Sequence, residues 1–404
     1  MEQVHQGLEA RWSRRVRLTT VGVLIIMLAA VAGLSVDARA DNQPSNSTLS
    51  ALEGLKFSSL AYIDYSNGKT ALSNNADSSY NQFALTRGYF TVEKEMRPWL
   101  AMRMTLDLHR DETGDYKIRD KYLYAAFMPK DLGNLTHLKA ELGLGHIPWL
   151  DFQEHVNPYR MQGTMPIERA GVLNSADLGV SLQGYFGKPL KDAKSLTGNS
   201  HYAGRYGSWH FGVYNGGGYH AAEVNQNKVP EVRATIRPVP DALPGLQFSY
   251  FGVFGKGNKA SDPDYMVNMG MVSFEHPIVI ITAEYFQTKG NAKGDWVDST
   301  GAVLKTRGIS AFANVRIPST QNRLAFFGRY DHFDPDIDKL IADKAAYNLI
   351  MGGATYDLFK GNMLMLAFET VSYDVNSGGM GKVPSPGKDL GNAWRIQGVY
   401  QIKF

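Results

Sequence analysis

Hydrophobic and polar residues alternate with a period of two along most of this chain. The clearest example is the stretch 99–109, in which every even position is leucine or methionine. The odd positions from 101 to 109 are small, polar or charged. In an extended strand, this alternation places the apolar residues on one face and the polar residues on the other. The predicted apolar face consists of Leu100, Met102, Met104, Leu106 and Leu108.

Sixteen segments of this kind follow one another, separated by polar or Gly- and Pro-rich turns. Their connections alternate between long and short, except that 187–204 is long where a short turn is expected. No run after residue 40 is long and apolar enough for a membrane-spanning helix. The pattern predicts an all-β fold, a transmembrane antiparallel β-barrel of about sixteen strands. The predicted strands are 56–65, 82–93, 99–109, 121–128, 137–145, 177–186, 205–214, 230–238, 246–255, 265–274, 278–287, 308–317, 323–333, 345–356, 363–374 and 393–404.

The first 40 residues have the organisation of a cleaved signal peptide. Four arginines between positions 11 and 17 precede the apolar segment 19–34, and Ala38-Arg39-Ala40 has the form of a cleavage site. An uncleaved N-terminal anchor is the alternative. The sequence predicts a signal peptide at 1–40, a short polar periplasmic leader at 41–54, and an outer-membrane barrel at 55–404.

Composition and charge exclude several classes of function. The chain has no cysteine, so disulfides, thiol catalysis and thiolate metal sites are excluded. The formal net charge of +3 gives no indication of nucleic-acid binding. The ten histidines have no metal-ligand spacing, and no nucleophile elbow or phosphate-binding glycine turn is present. We therefore expect no enzymatic activity, no metal and no cofactor.

The last predicted strand carries an alternating series of large apolar side chains and ends on phenylalanine. It resembles the C-terminal signal that is read by the barrel-assembly machinery of Gram-negative bacteria. An ordinary C-terminal edge strand is the alternative. The residues expected to form the signal are Tyr400, Ile402 and Phe404.

Short motifs spread over most of the barrel segment resemble the phosphate-selective porin O/P family. They are GHIPW at 145–149, PIER at 166–169, DLGVSLQG at 177–184, FGVYNGGG at 211–218 and FGRYDHFDPD at 327–336. The resemblance implies a sixteen-stranded outer-membrane porin that assembles as a homotrimer. It does not imply phosphate as the solute, because the connection 146–176 contains no lysine.

The connection 146–176 is the third outward loop of the predicted barrel, and in sixteen-stranded porins this loop commonly folds into the lumen. We expect its charges to form the pore constriction, where facing charges of both signs select ions. Alternatively, they pair with the barrel wall and hold the loop in place. The expected constriction residues are Asp151, Glu154, Arg160, Glu168 and Arg169. The expected pore-wall residues are Arg103, Asp107, Arg233, Arg237, Arg316, Arg329 and Arg395.

These observations predict a water-filled channel through the outer membrane of a Gram-negative bacterium. It would pass small hydrophilic solutes and ions by diffusion, with at most a mild preference for anions. The alternative is a barrel that encloses a partner, such as the multihaem cytochrome of an electron conduit. The expected partners are outer-membrane lipid, the barrel-assembly machinery and two further copies of the chain.

Overall fold

A computed structural model describes residues 53–404 of the chain, apart from residues 75 and 112. The predicted signal peptide at 1–40 and nearly all of the predicted leader at 41–54 lie outside the described residues. Within the described ranges, no helix is long and apolar enough to cross a membrane.

Sixteen antiparallel strands in this part of the chain form one closed barrel. Each strand pairs with its neighbours in sequence, and β1 closes the barrel against β16, with Ile63 opposite Tyr400. The predicted all-β barrel of about sixteen strands is confirmed. The strands are β1 Leu55–Ala71, β2 Asp77–Arg97, β3 Leu100–Arg110, β4 Tyr116–Phe127, β5 Leu135–His146, β6 Ala176–Phe186, β7 Gly207–Tyr214, β8 Val229–Ile236, β9 Leu246–Lys256, β10 Asp264–Glu275, β11 Val279–Lys289, β12 Lys305–Arg316, β13 Leu324–Asp334, β14 Tyr347–Phe359, β15 Asn362–Tyr373 and β16 Asn392–Lys403.

The connections lie at two ends of the barrel. We call the end where β1 begins and β16 ends the terminal end, and the opposite end the loop end. The predicted long connection 66–81 at the loop end is wrong in extent, because β1 continues to Ala71 and β2 begins at Asp77. The polar residues there keep the ladder paired, and the rings of Tyr65 and Phe83 pack across it with centroids 5.0 Å apart.

The outward face of the strands is an apolar belt, as the period-two pattern predicts. Met104 lies on this face opposite Val92, although neighbouring side chains leave it only 8% exposed. Large apolar residues point outward on nearly every strand. Examples more than a third exposed are Phe90, Leu142, Leu178, Ile236, Phe248, Ile281, Phe326, Ile350, Leu366 and Ile396.

The inward face differs between the two halves of the barrel. On β1 to β5 it is polar and charged, whereas on β9 to β15 it carries many large apolar side chains. The apolar half does not face water, because the connection between β5 and β6 folds inside the barrel and packs against it. Its inward-facing members include Phe251, Met269, Met271, Phe286, Phe312, Phe327, Met351 and Met365. The hydrophobic core therefore lies inside the barrel, to one side of the lumen.

Candidate functional site

The connection between β5 and β6, residues 147–175, contains three short helical segments, and we call it loop three. They are α1 Leu150–Val156, a 3-10 turn Arg160–Gln162 and α2 Pro166–Arg169. The segments are too short to be stable alone, so contacts with the barrel must hold them in place. These contacts divide the loop into a face that packs on the wall and a face that lines the channel.

Apolar side chains form the wall-facing side of loop three. Trp149 and Tyr159 are completely buried there. The indole of Trp149 lies 5.5 Å from the ring of Phe251, and the ring of Tyr159 lies 5.1 Å from that of Phe327. Full burial of a large apolar side chain contributes about 1.5–3 kcal/mol. These contacts fix the loop against β9 to β15, and the tyrosine hydroxyl donates to Asn314 at 2.8 Å.

Three arginines predicted to line the pore wall instead donate to backbone carbonyls of loop three. Arg233 and Arg329 are buried, and the side chain of Arg395 is only partly exposed. Buried carbonyl groups need hydrogen-bond donors, and a guanidinium supplies several in a fixed plane. The bonds run from Arg233 to Pro148 at 3.0 Å, from Arg329 to Thr164 at 2.9 Å and from Arg395 to Gln162 at 3.3 Å.

Other predicted site arginines also hold chain segments together. Arg169 of loop three turns away from the channel and pairs with Glu369 of β15 at 2.8 Å. Arg316 pairs with Asp357 at 2.8 Å near the terminal end of the barrel. Arg237, just after β8, is buried and donates to the carbonyl of Gly204, in the connection between β6 and β7. That connection is the one predicted to be unusually long.

The channel-facing side of loop three is acidic. Asp151 and Glu154 on α1 and Glu168 on α2 are partly exposed. Arg160 lies between the helices, with its guanidinium 2.7 Å from Glu154 and 3.2 Å from Glu168. Burial alone would lower the pKa of Arg160, but Glu168 and Glu154 outweigh it and raise the pKa. The arginine therefore stays charged and joins the two helices, and the loop retains an excess of carboxylates.

Asp151 lies on the side of α1 that faces β5 and the connection between β6 and β7. Its carboxylate accepts a hydrogen bond from the Tyr202 hydroxyl and lies 3.8 Å from the ring of His146. Burial would raise the pKa of Asp151, but His146, His155 and this hydrogen bond hold it below its usual range. Asp151 is thus a fixed negative charge at neutral pH.

The wall opposite loop three is basic. Five cationic side chains point inward from β2 to β5, and most lie over a tyrosine ring, a favourable cation–π arrangement. Arg103 lies 5.2 Å from the ring centroid of Tyr122. Lys121 lies 4.5 Å from that of Tyr89 and donates to its hydroxyl at 2.6 Å. The five cations are Arg87, Arg103, Arg119, Lys121 and Lys139.

Three of these cations have carboxylate partners on the same wall. Arg119 pairs with Asp107 at 2.9 Å, which places predicted wall residue Asp107 in an ion pair inside the lumen. Lys139 pairs with Glu141 at 2.6 Å, and Arg103 lies 3.6 Å from Glu93.

Arg87 and Lys121, in contrast, have no carboxylate within 4.0 Å among the residues that the structure describes. The charged groups that act on Lys121 include Glu154 and Glu168 of loop three. An excess of positive charge on the wall therefore faces an excess of negative charge on the loop.

Sequence reasoning missed Arg87, Arg119, Lys121 and Lys139. The alternation of side chains along β2 and β5 places Arg87 and Lys139 on the inward face, so both could have been predicted from the sequence. Lys121 could not, because the pairing of β3 with β4 shifts at Thr105 and Leu106 and turns both Lys121 and Tyr122 inward. Such a β-bulge leaves no signature in the alternation of the sequence.

The predicted assembly residues lie at the junction of β16 with β1. Tyr400 and Ile402 belong to β16, and Phe404 follows its last residue. The backbone of Phe404 exchanges two hydrogen bonds with Ser59, at 3.1 and 3.2 Å. Its side chain is 73% exposed on the outer surface. The ring is therefore accessible, while the backbone helps to close the barrel.

Comparison with solved structures identifies the fold. An anion-selective porin from Comamonas acidovorans aligns with a TM-score of 0.56 and 11% identity over 87% of this chain and 100% of the porin. OmpF of Salmonella typhi aligns with a TM-score of 0.55 and 12% identity, over 86% of this chain and 97% of OmpF. The channel DcaP of Acinetobacter baumannii gives 0.52 and 11%, over 86% and 97%. The chain has the fold of outer-membrane porins. No family model and no curated protein matches it.

Proposed function

We propose that the protein is a porin that forms a water-filled channel through the outer membrane of a Gram-negative bacterium. The single observation that carries this proposal is the lumen, where a basic wall on β2 to β5 faces the acidic side of loop three. Arg87 and Lys121 bond to the Tyr89 hydroxyl but have no carboxylate partner among the described residues, so they leave uncompensated positive charge on the wall of the lumen. The apolar outward belt suits contact with lipid. The closed barrel also suits a membrane, because it leaves no strand edge with unpaired backbone groups.

The proposed solutes are small hydrophilic molecules and ions, with at most a mild preference for anions. Five cations on the wall and Arg160 of loop three oppose three carboxylates of the wall and three of the loop, so neither sign dominates. A field across the channel orients dipolar solutes and slows purely apolar ones. The porin from Comamonas acidovorans is described as anion-selective, and the positive charges of Arg87 and Lys121 support a preference for anions here.

The resemblance to the phosphate-selective porin O/P family supports this proposal, because two of the shared motifs contain residues that hold loop three in place. Arg329 of the motif 327–336 pairs with Asp331 and donates to the Thr164 carbonyl, and the Pro148 carbonyl of the motif 145–149 accepts from Arg233. These residues place loop three rather than bind a solute. We therefore infer a general pore rather than a phosphate-specific one.

The lumen argues against a sheath around a cytochrome. Loop three occupies one half of the barrel and buries its apolar face there. A folded partner would need that space, and the loop would have to leave an apolar surface exposed. Homotrimer formation and assembly through Tyr400, Ile402 and Phe404 remain part of the proposal.

Conductance of the purified protein in a planar bilayer tests the proposal. We expect stepwise insertion of ion-conducting units and, under a potassium chloride gradient, a reversal potential that indicates a mild anion preference. Phosphate at low concentration should not block the chloride current. Strong phosphate block would contradict the general pore, and a protein that inserts without conducting would revive the sheath.

A further inference from the structure

The connection between β6 and β7, residues 187–206, is at the terminal end but folds into the barrel mouth, and we call it connection six. Its short helix α3, Ala193–Thr197, packs through Ala193 against Leu190 and Ala203 of the same connection. The remainder reaches α1 of loop three. Two segments from opposite ends of the barrel therefore meet inside the lumen.

The contacts that join connection six to α1 include the following four. The imidazoles of His201 and His155 lie with ring centroids 3.8 Å apart. The Tyr202 hydroxyl donates to Asp151, and its ring packs edge-on against Phe152 at 5.3 Å. The fourth contact is a hydrogen bond from the Asn199 side chain to the His155 carbonyl, at 3.0 Å.

The two histidines separate two spaces in this half of the lumen. One is the vestibule at the terminal end, about 670 Å³, which Tyr62 and Arg160 also line. The other is a side recess of about 360 Å³ between the wall and α1, lined by Arg103 of β3 and by residues of β5 and β6. His155 and His201 line both spaces. Separation of the two rings would join the recess to the vestibule.

We propose that connection six and loop three form a second constriction, and that the His155–His201 contact holds it closed until both imidazoles are protonated. This proposal rests on the proposed channel function. Two imidazolium rings in contact repel each other, whereas two neutral rings, or one neutral and one charged, can remain packed. The constriction therefore opens as pH falls.

The charges around the pair decide how many protons it holds. Asp151 lies 3.5 Å from His155, so one positive charge on the pair has a counterion. No second carboxylate lies as close to either ring among the described residues. The pKa of His201 is lowered to about 4. The main cause is partial burial of its ring, and the second is the positive charge of the neighbouring His155. Titratable and charged groups of several elements face the pair. They are Asp151 and Glu154 of α1, Lys194 and Tyr202 of connection six, Arg103 of β3, His137, Lys139 and His146 of β5, Glu275 of β10 and Lys403 of β16.

Single-channel recording at neutral pH and at a pH near 4 tests the proposal, with His201→Gln as the main variant. Glutamine keeps a polar side chain of similar reach but cannot take a proton. We expect the wild-type conductance to rise reversibly in acid, because the recess then adds to the path through the vestibule. H201Q and H155Q should lack this rise. Acid also protonates pore carboxylates in every variant, so the difference between variants is the measured quantity.

His276→Gln is the matched control, because His276 lines the same vestibule while its ring stacks on Phe274. It should keep the acid response. An equal response in wild type and H201Q would overturn the proposal. Tyr202→Phe should shift the response to higher pH, since it removes one of the contacts that hold the segments together.

Hydrogen exchange separates failure of this proposal from failure of the channel function. After correction for the intrinsic pH dependence, peptides from residues 187–206 should exchange faster in acid in wild type but not in H201Q. This readout does not need a conducting pore. Exchange that changes without any current would support the contact and reject the channel, and exchange that is the same in both proteins would reject the contact.

Discussion

Arg329 on β13 donates to the carbonyl of Thr164 at 2.9 Å, and the same guanidinium forms a fork with the carboxylate of Asp331. One buried wall arginine thus neutralises a wall carboxylate and fixes the backbone of loop three. Its side chain is fully buried. The position of the constriction therefore depends on the barrel wall as much as on the loop's own sequence.

The variant Arg329→Ala should loosen loop three. It removes the donor to Thr164 and leaves Asp331 buried with Ser310 as its one remaining side-chain donor among the described residues. Breaking a buried ion pair by removing one partner typically costs about 3–5 kcal/mol. We expect a lower denaturation midpoint and greater open-channel noise in single-channel recordings.

Arg316→Ala is the control for Arg329→Ala. Arg316 also forms an ion pair, with Asp357, but it bonds to the connection at 317–323 rather than to loop three. Its removal should leave open-channel noise unchanged. If both variants are equally noisy, or if Arg329→Ala is as quiet as wild type, the arginine does not position the loop.

The barrel itself follows from alternation, and the sixteen predicted strands overlap the sixteen observed ones. Alternation fails where the inward face is also apolar. On β10, Met269 and Met271 point inward while Met266 and Val272 point outward, so both faces read as lipid-facing. Only the apolar face of loop three explains the inner residues, and nothing local to β10 indicates it.

The candidate site was harder to predict than the fold. The period-two alternation identifies inward-facing residues, but it cannot distinguish a charged side chain that faces water from one that faces a folded loop. Arg233, Arg329 and Arg395 are of the second kind. The contact between His155 and His201 joins residues 46 positions apart in two different connections, and a sequence pattern with a period of two cannot place them together.

Leu366→Arg should destabilise the barrel in a lipid bilayer. Leu366 lies near the middle of β15, points outward and is 61% exposed. An arginine on the lipid face costs about 2–4 kcal/mol at the midplane and about 0–1 kcal/mol near the interfaces. Phe359→Arg, at the terminal end of β14 and 62% exposed, is the matched control. Equal unfolding free energies in vesicles would mean that this face does not meet lipid.

The side chain of Phe404 should be needed for assembly but not for export. Phe404→Ala removes the exposed ring and keeps the two backbone hydrogen bonds to Ser59, whereas deletion of Phe404 removes both. We expect Phe404→Ala to accumulate in the periplasm with a reduced outer-membrane level, measured by fractionation. Phe404→Tyr should assemble normally. Normal outer-membrane levels of Phe404→Ala would show that the ring carries no assembly signal.

Removal of the two wall cations that have no carboxylate partner in the described part of the chain should shift the channel toward cations. Lys121→Gln combined with Arg87→Gln removes two positive charges, while Glu154→Gln combined with Glu168→Gln removes two negative charges from loop three and should shift selectivity toward anions. A unit charge about 4 Å from an ion in water contributes about 1 kcal/mol, which corresponds to about fivefold in local ion concentration. The reversal potential under a salt gradient measures both shifts.

Ionic strength and a surface control complete this test. Charges exposed to solvent are screened beyond about 8–10 Å at physiological salt, so both shifts should shrink as the salt concentration rises. Arg205→Gln removes a charge that lies at the terminal end and pairs with Asp241 at 2.7 Å, and it should leave selectivity unchanged. Opposite shifts from the wall and loop pairs are expected if both sets of charges lie along the conducting path. Shifts in the same direction, or none, would place the path elsewhere in the barrel.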